Sequence, residues 1–256
     1  MTRSRRAAGP ASLRWLFAAA LISSALVTGF ADGEAARAGE GDTANLTAEQ
    51  ILARVVEVYS RCKSYRDSGL VTTVFIHSAW PNYTEEKPFT TAFVRPDRFR
   101  FEYTENGKPW NHYVIWRQGE AVRTWWGVDP GVHESPSLGM ALSAATGVSS
   151  GSARRIPGLL LSPREFGAGW EILRLKNLRR LSDARLREAD CLRVEGERDP
   201  GEPATLWIAR TTFLIRRIDE PNAFRDFRTE ETTTYEPRID VDIPASLLEF
   251  GAPPPR

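Results

Sequence analysis

The sequence predicts an α+β chain organised around one antiparallel sheet, and three observations predict it. Apolar residues recur at helical spacing over residues 48–62, then switch to strict alternation after Ser68-Gly69. The alternating segments are separated by short turn signals, which leave no room for crossover helices and so imply an antiparallel meander. An oily, glycine-punctuated stretch at residues 135–161 interrupts the alternation before it resumes. The count is about ten or eleven strands against three helices.

At the start of the chain, Arg3, Arg5 and Arg6 precede an uncharged run from Trp15 to Phe30, and Ala36-Arg37-Ala38 follows with a small-x-small pattern. This reads as a secretory signal over residues 1–38, with Gly29-Phe30-Ala31 as a second cleavage point. The apolar run is short and rich in Ala and Ser for a permanent span, which needs about 20 strongly apolar residues. No cysteine stands near either cleavage point to accept a lipid, so the expectation is a soluble exported protein. Residues 39–46 read as a disordered lead-in, and 47–256 as one domain.

Removing residues 1–38 takes five of the 34 basic and two of the 33 acidic residues, leaving 29 against 31. A near-neutral surface argues against nucleic acid as a partner, because phosphate backbones demand a concentrated positive field. Cys62 and Cys191 are the two cysteines. Without a CxxC spacing, and in an oxidising compartment, they read as a disulfide in preference to a metal or redox site.

Thr47-Ala48-Glu49-Gln50 has capping-box spacing, and Ile51, Leu52, Val55, Val56, Val58 and Tyr59 follow as one greasy stripe of a helix over 48–62. Strands are expected at 70–77, 89–95, 98–104, 110–117 and 121–126, divided by Trp80-Pro81-Asn82, Arg95-Pro96-Asp97, Asn106-Gly107-Lys108 and Gln118-Gly119. In "VRPDRFRFEY", residues 94–103, Phe99, Phe101 and Tyr103 share one face while Arg98, Arg100 and Glu102 share the other. The aromatic face demands a cover.

Ser135-Pro136 reads as the start of a helix with proline in its first position, followed by Leu138, Met140, Ala141, Leu142 and Ala145 and a stop at Thr146-Gly147. A second apolar segment runs from Ile156 to Leu161. Strands resume at 171–181, 185–187, 191–195, 204–209, 213–219 and 227–235, before a proline-rich tail.

Candidate chemistry is sparse. Gly147-Val148-Ser149-Ser150-Gly151 matches GxSxG, but a helix precedes it and His77, His112 and His133 all lie upstream, which rules out the hydrolase order. His77 and His112 lack ligand spacing, so no metal or cofactor is expected. Asp240 and Asp242 share a strand end and read as a solvated edge in preference to an acid-base pair. Trp110, Trp116, Trp125, Trp126 and Tyr113 form an aromatic hairpin, either core packing or the wall of a cavity. Arg154-Arg155 is either a solvated turn or a contact for anionic head groups. No nucleophile, metal or acid-base constellation survives, so an enzyme is not expected.

Taken in order, the exported start, the first helix, Arg95-Pro96-x-x-Phe99, the hairpin from Trp110 to Trp126, the mid-chain helices, "LWIARTTFLIRRID" at 206–219 and "PASLLEFGAPPP" at 244–255 resemble the Lol-type periplasmic lipoprotein carrier superfamily. The resemblance implies an incomplete, strongly curved antiparallel β-barrel of about ten or eleven strands, with helices at 48–62 and 136–161 packed on the concave side as a lid. It implies an apolar cavity for acyl chains, lined here by Phe99, Phe101, Tyr103, Trp110, Trp116, Trp126, Leu138 and Leu142. It makes Arg95 a latch that hydrogen-bonds the lid backbone; the residue reading alone leaves it equally a rim arginine paired to a carboxylate. The implied protein is a monomeric periplasmic carrier of a lipoprotein or other acylated ligand, in transient contact with membranes. The alternative is an envelope sensing or protein-interaction module that uses the same fold with a self-filled core. "YSRCKSYRDSG" at 59–69, the cysteine pair and the longer middle depart from the best-known carriers and resemble other exported branches of the superfamily.

Overall fold

Helix α1, Ala48–Arg61, opens on the expected capping box: Thr47 N donates to Gln50 Oε1 at 2.8 Å and Gln50 N to Thr47 Oγ1 at 3.3 Å. Its buried stripe is Ala48, Ile51, Leu52, Val55 and Tyr59, the spacing of a one-sided amphipathic helix. The computed structural model describes residues 43–162, 165 and 174–250, so the signal reading at 1–38 and the strand start at 171 lie outside the described residues. Among the described residues no helix is long and apolar enough to cross a membrane.

Twelve strands follow α1 in one sheet: β1 Ser64–His77, β2 Tyr83–Val94, β3 Arg98–Glu105, β4 Lys108–Gln118, β5 Ala121–Trp126, β6 Asp129–Glu134, β7 Lys176–Leu186, β8 Ala189–Asp199, β9 Glu202–Ala209, β10 Ile215–Ala223, β11 Phe227–Tyr235 and β12 Arg238–Ile239. Their order is β6-β5-β4-β3-β2-β1-β11-β10-β9-β8-β7, with β12 pairing the start of β1. Two meanders are therefore joined by the antiparallel pairing of β1 with β11. Among the described residues β6 and β7 remain as the two edges, so the barrel is incomplete. The chain between those edges supplies α2, Leu138–Thr146, and α3, Ser152–Leu160.

Alternation sorts the sheet into two faces. The inner face, bearing Tyr65, Val71, Phe89, Phe93, Phe99, Phe101, Ile115, Leu192, Val194, Leu206 and Ile218, forms one core with the buried sides of α1, α2 and α3. On the outer face, Ile243 and Leu248 of the tail form a small cluster over Ala92.

Several local expectations are corrected. β1 begins at Ser64 and β2 at Tyr83, because the alternation continues through polar residues that an apolar pattern overlooks. β6 is a strand additional to those expected, and it pairs with β5 through a shifted register. α2 starts at Leu138, since Ser137 is extended and its hydroxyl accepts from Met140 N at 3.2 Å, which leaves Pro136 ahead of the helix. The disulfide expectation is also overturned, as Cys62 and Cys191 are both free and buried. Cys62 ends α1 inside the core, whereas Cys191 alternates with the core residues Leu192 and Val194 and so points through the opposite face of the sheet.

Candidate functional site: the helix-covered inner wall

The strand that carries Phe99, Phe101 and Tyr103 places all three on the inner face, each fully buried. Phe93 meets Phe99 edge-on at 6.4 Å, Phe89 lies 6.2 Å from Phe101, and Tyr103 stacks on Tyr113 at 6.2 Å. Gly69 makes room for this wall: a Cβ there would stand 2.2 Å from the Phe89 ring and 2.6 Å from the Thr234 carbonyl. Leu138 and Leu142 of α2 are buried in the same core, with Ile156, Leu159 and Leu160 of α3. Among the described residues, these side chains pack as one core beneath the helices.

The tryptophans divide. Trp126 is on the inner face, 6.0 Å from Tyr113, with its Nε1 donating to Asn111 Oδ1 at 3.3 Å. Trp116 is opposite Arg100 and therefore on the outer face, where it stacks on Phe250 of the tail at 3.6 Å. Trp110, 54% exposed, lies near the hairpin tip. Neither lines the interior, and the inward hairpin positions are instead Tyr113, Ile115 and Arg117, paired with Tyr103, Phe101 and Phe99.

Arg95 Nε donates to the Cys62 carbonyl at 2.7 Å and Nη2 to the Tyr59 carbonyl at 3.0 Å, with the guanidinium over the Phe93 ring. It thus satisfies carbonyls left open at the C-terminus of α1, where a cation also complements the helix dipole. The backbone it holds is that of α1, not of α2 or α3.

Helix α3 has its own polar tie, which the sequence reading missed. Arg155 reaches the inner face of β10 and β11, donating to Glu231 Oε1 at 2.6 Å, Thr233 Oγ1 at 2.8 Å and the Ser150 carbonyl at 3.0 Å, and pairing with Glu220. Glu220 and Glu231 stand directly across from each other in the ladder, a like-charge arrangement that needs a cation between them. Burial alone would lower the Arg155 pKa, but the two carboxylates outweigh it and hold the guanidinium charged. Lys87 Nζ adds a bond to Ser150 Oγ at 3.1 Å in the turn between α2 and α3. Of the pair read as a turn or head-group contact, Arg155 is therefore a buried tie. The signal available was helical spacing: position 155 follows Ser152 by three residues and precedes Leu159 by four, both buried.

A second polar group lies beside α1. Tyr65 OH donates to Asp67 Oδ2 at 2.7 Å, and Tyr59 OH accepts from Ile215 N at 3.1 Å. Burial pushes the Asp67 carboxyl up to about 6 and the Tyr65 and Tyr235 hydroxyls well above their ordinary value. Asp67 Oδ1 and Tyr235 OH have no hydrogen-bond partner among the described residues.

Ser149, the central serine of the GxSxG match, is buried, and its hydroxyl accepts from Ala153 N at 3.1 Å, an ordinary contact at the start of a helix. His112 bonds Glu102 at 2.7 Å on the outer face, and that bond holds the Glu102 carboxyl below its usual range. Among the described residues, no cluster of three or more His, Cys, Asp or Glu stands ready to hold a metal ion.

No family model and no curated protein sequence matches the chain. Solved structures similar to it include a chain of the Pseudomonas aeruginosa MucA/MucB complex, at 14% identity and TM-score 0.44 over 80% of this chain and 61% of that one. The present chain thus spans less than two thirds of that protein's length. A LolA superfamily protein from Nitrosomonas europaea is similar at 10% identity and TM-score 0.31, over 80% of this chain and 98% of that one. A DUF1329 family protein from Desulfovibrio piger is similar at 11% identity and TM-score 0.34, over 79% and 95%. These likenesses are distant, and it is the chain's own open antiparallel sheet, with helices against one face, that has the arrangement the sequence resemblance implies. In fold the chain is an open, incomplete antiparallel barrel with helices against its inner face. That statement covers architecture and nothing of what is bound.

Proposed function

We propose that the chain is a non-enzymatic periplasmic binder of an acylated ligand, such as a lipid-modified protein, whose apolar tail takes the place of α2 and α3 on the aromatic inner wall. One observation carries the reading: the wall of Phe99, Phe101 and Tyr103 is roofed by a helical pair tied down through a buried ion-paired arginine. Buried ion pairs contribute little net stability, because opening returns the desolvation cost to the charges. A roof fixed in this way can detach at moderate cost and expose apolar surface worth about 25 cal/mol per Å² to an acyl chain. Export rests on the amino-terminal pattern, and the non-enzymatic reading on the ordinary structural use of Ser149.

The test is uptake of a fluorescent fatty acyl probe, together with mass spectrometry of gently purified protein for bound lipid. Arg155→Met leaves Glu220 and Glu231 facing each other without a cation, at a cost of about 3–5 kcal/mol, and should raise uptake. Adding Glu220→Leu and Glu231→Leu should reseal the roof apolarly and push uptake below that of the native chain. Uptake that is absent from the native chain and from Arg155→Met would defeat the proposal. The filled interior favours a second reading, an envelope sensing or protein-interaction module with a permanent core. Absence of lipid and of uptake, with a protein partner captured instead, selects it.

A further inference from the structure

On the outer face, away from the roofed wall, β12 lays Arg238 directly across from Arg66 of β1. Arg66 in turn pairs with Ala92 of β2, and Ala92 with Arg100 of β3, so one row across four strands reads Arg238, Arg66, Ala92, Arg100. The three arginines line a cleft of about 400 Å³ that Ser68, Thr90 and Ser246 also line, with Ala92 and Leu247 as its apolar part. Like charges directly opposite in a ladder are destabilising. Two of them at a two-residue strand need a reason.

The acidic residues of the cleft do not supply it. Asp67 turns its carboxylate to the inner face and Tyr65, Glu102 is taken by Arg100 and His112, and Glu236 by Arg187 at 3.1 Å and Ser68 at 3.4 Å. Among the described residues, Arg66 and Arg238 have no carboxylate partner. Arg100 spends one guanidinium nitrogen on the Glu249 carbonyl, which fastens the tail as a wall of the cleft.

We propose that this cleft binds a phosphate ester, its phosphoryl oxygens bridging Arg66 and Arg238. Two guanidinium forks present donors in the planar geometry that suits such an anion, and neighbouring hydroxyls suit its further oxygens. The anion converts the repulsion between the arginines into attraction. Ala92 and Leu247 leave an apolar corner for the alcohol part of the ester, and the volume is in the range of small-molecule sites. The site is independent of the roofed wall, since it lies on the other face of the sheet.

The experiment is thermal unfolding of the native chain, Arg66→Gln and Arg238→Gln against rising inorganic phosphate, with chloride holding ionic strength constant. Phosphate should raise the melting temperature of the native chain in a saturable way, and each variant should need at least tenfold more phosphate for the same rise. Without phosphate, each variant should melt no lower than the native chain, because the repulsion is relieved. A native rise no greater than chloride gives, or an equal rise in the variants, overturns the proposal. Flotation with phosphatidylglycerol vesicles separates the sources. Capture lost in both variants assigns a lipid head group, and no capture alongside intact phosphate binding assigns a soluble ester.

Discussion

Asp67 shows how a single side chain sets a measurable property. Its carboxyl is buried with one oxygen bonded to Tyr65 and the other unpartnered, and its folded pKa of about 6 stands above the ordinary 3.8. For an acid raised on folding, the unfolded chain ionises first, so Asp67 weakens the fold as pH climbs from 4 towards 6, by on the order of 3 kcal/mol in full. Asp67→Asn keeps an acceptor for Tyr65 and should flatten that part of the curve, making the variant the more stable of the two at pH 7. Urea titrations at pH 4 and pH 7 check this; equal slopes for both proteins would refute it. None of this was legible in the sequence, where Asp67 is one carboxylate in a polar run. By contrast, Phe99, Phe101 and Tyr103 were legible, because alternation alone assigns them a shared face and three aromatics in a row require cover. Trp116 followed the same rule in the other direction. It is paired with Arg100, already on the charged face, and only the register of β3 on β4 reveals that pairing.

Helix α1 is held from both ends by side chains that the sequence marks. Thr47 and Gln50 satisfy the first orphan donors, and Arg95 satisfies the Tyr59 and Cys62 carbonyls from across the sheet. Thr47→Ala should cost about 1 kcal/mol. Arg95→Met should cost more, roughly 1–3 kcal/mol, because buried carbonyls lose charged donors while the aliphatic contact with Phe93 remains. Arg95→Lys should restore only part, since one ammonium cannot reproduce the two-nitrogen fork. Denaturant midpoints of the three variants check the order, and a full rescue by lysine would contradict it. The Arg-Pro motif made Arg95 conspicuous, yet which helix it serves depends on Lys63 lying beside it, where the Arg95 amide bonds the Lys63 carbonyl at 3.0 Å. The ends of α2 and α3 were harder to read. Ser137 competes with Ser135-Pro136 as a start, and Arg155 is polar in a segment otherwise legible by its oily residues.

At the scale of the whole molecule, the open edges decide what the helices must do. β6 and β7 leave the sheet unclosed, and the chain that travels between them is the chain that roofs the inner wall. The meander was legible because short turns forbid crossovers; the junction of β1 with β11 was not, since a pairing between residues as far apart as Val71 and Thr233 leaves no local trace. That junction makes the molecule two meanders with a common roof. β1 and β11 are hydrogen-bonded along both sides, whereas α2 and α3 meet the sheet through side chains, with apolar contacts and the bonds of Arg155 and Lys87 among them. Native-state hydrogen exchange should therefore find the α2 and α3 amides opening at a free energy below that of the β1 and β11 amides, in one sub-global unit. Arg155→Met should lower the opening energy of the helices and leave the difference at β1 unchanged or larger. Exchange of α2 and α3 only through global unfolding, in both proteins, would mean that the roof is a permanent part of the core and that no acyl chain displaces it.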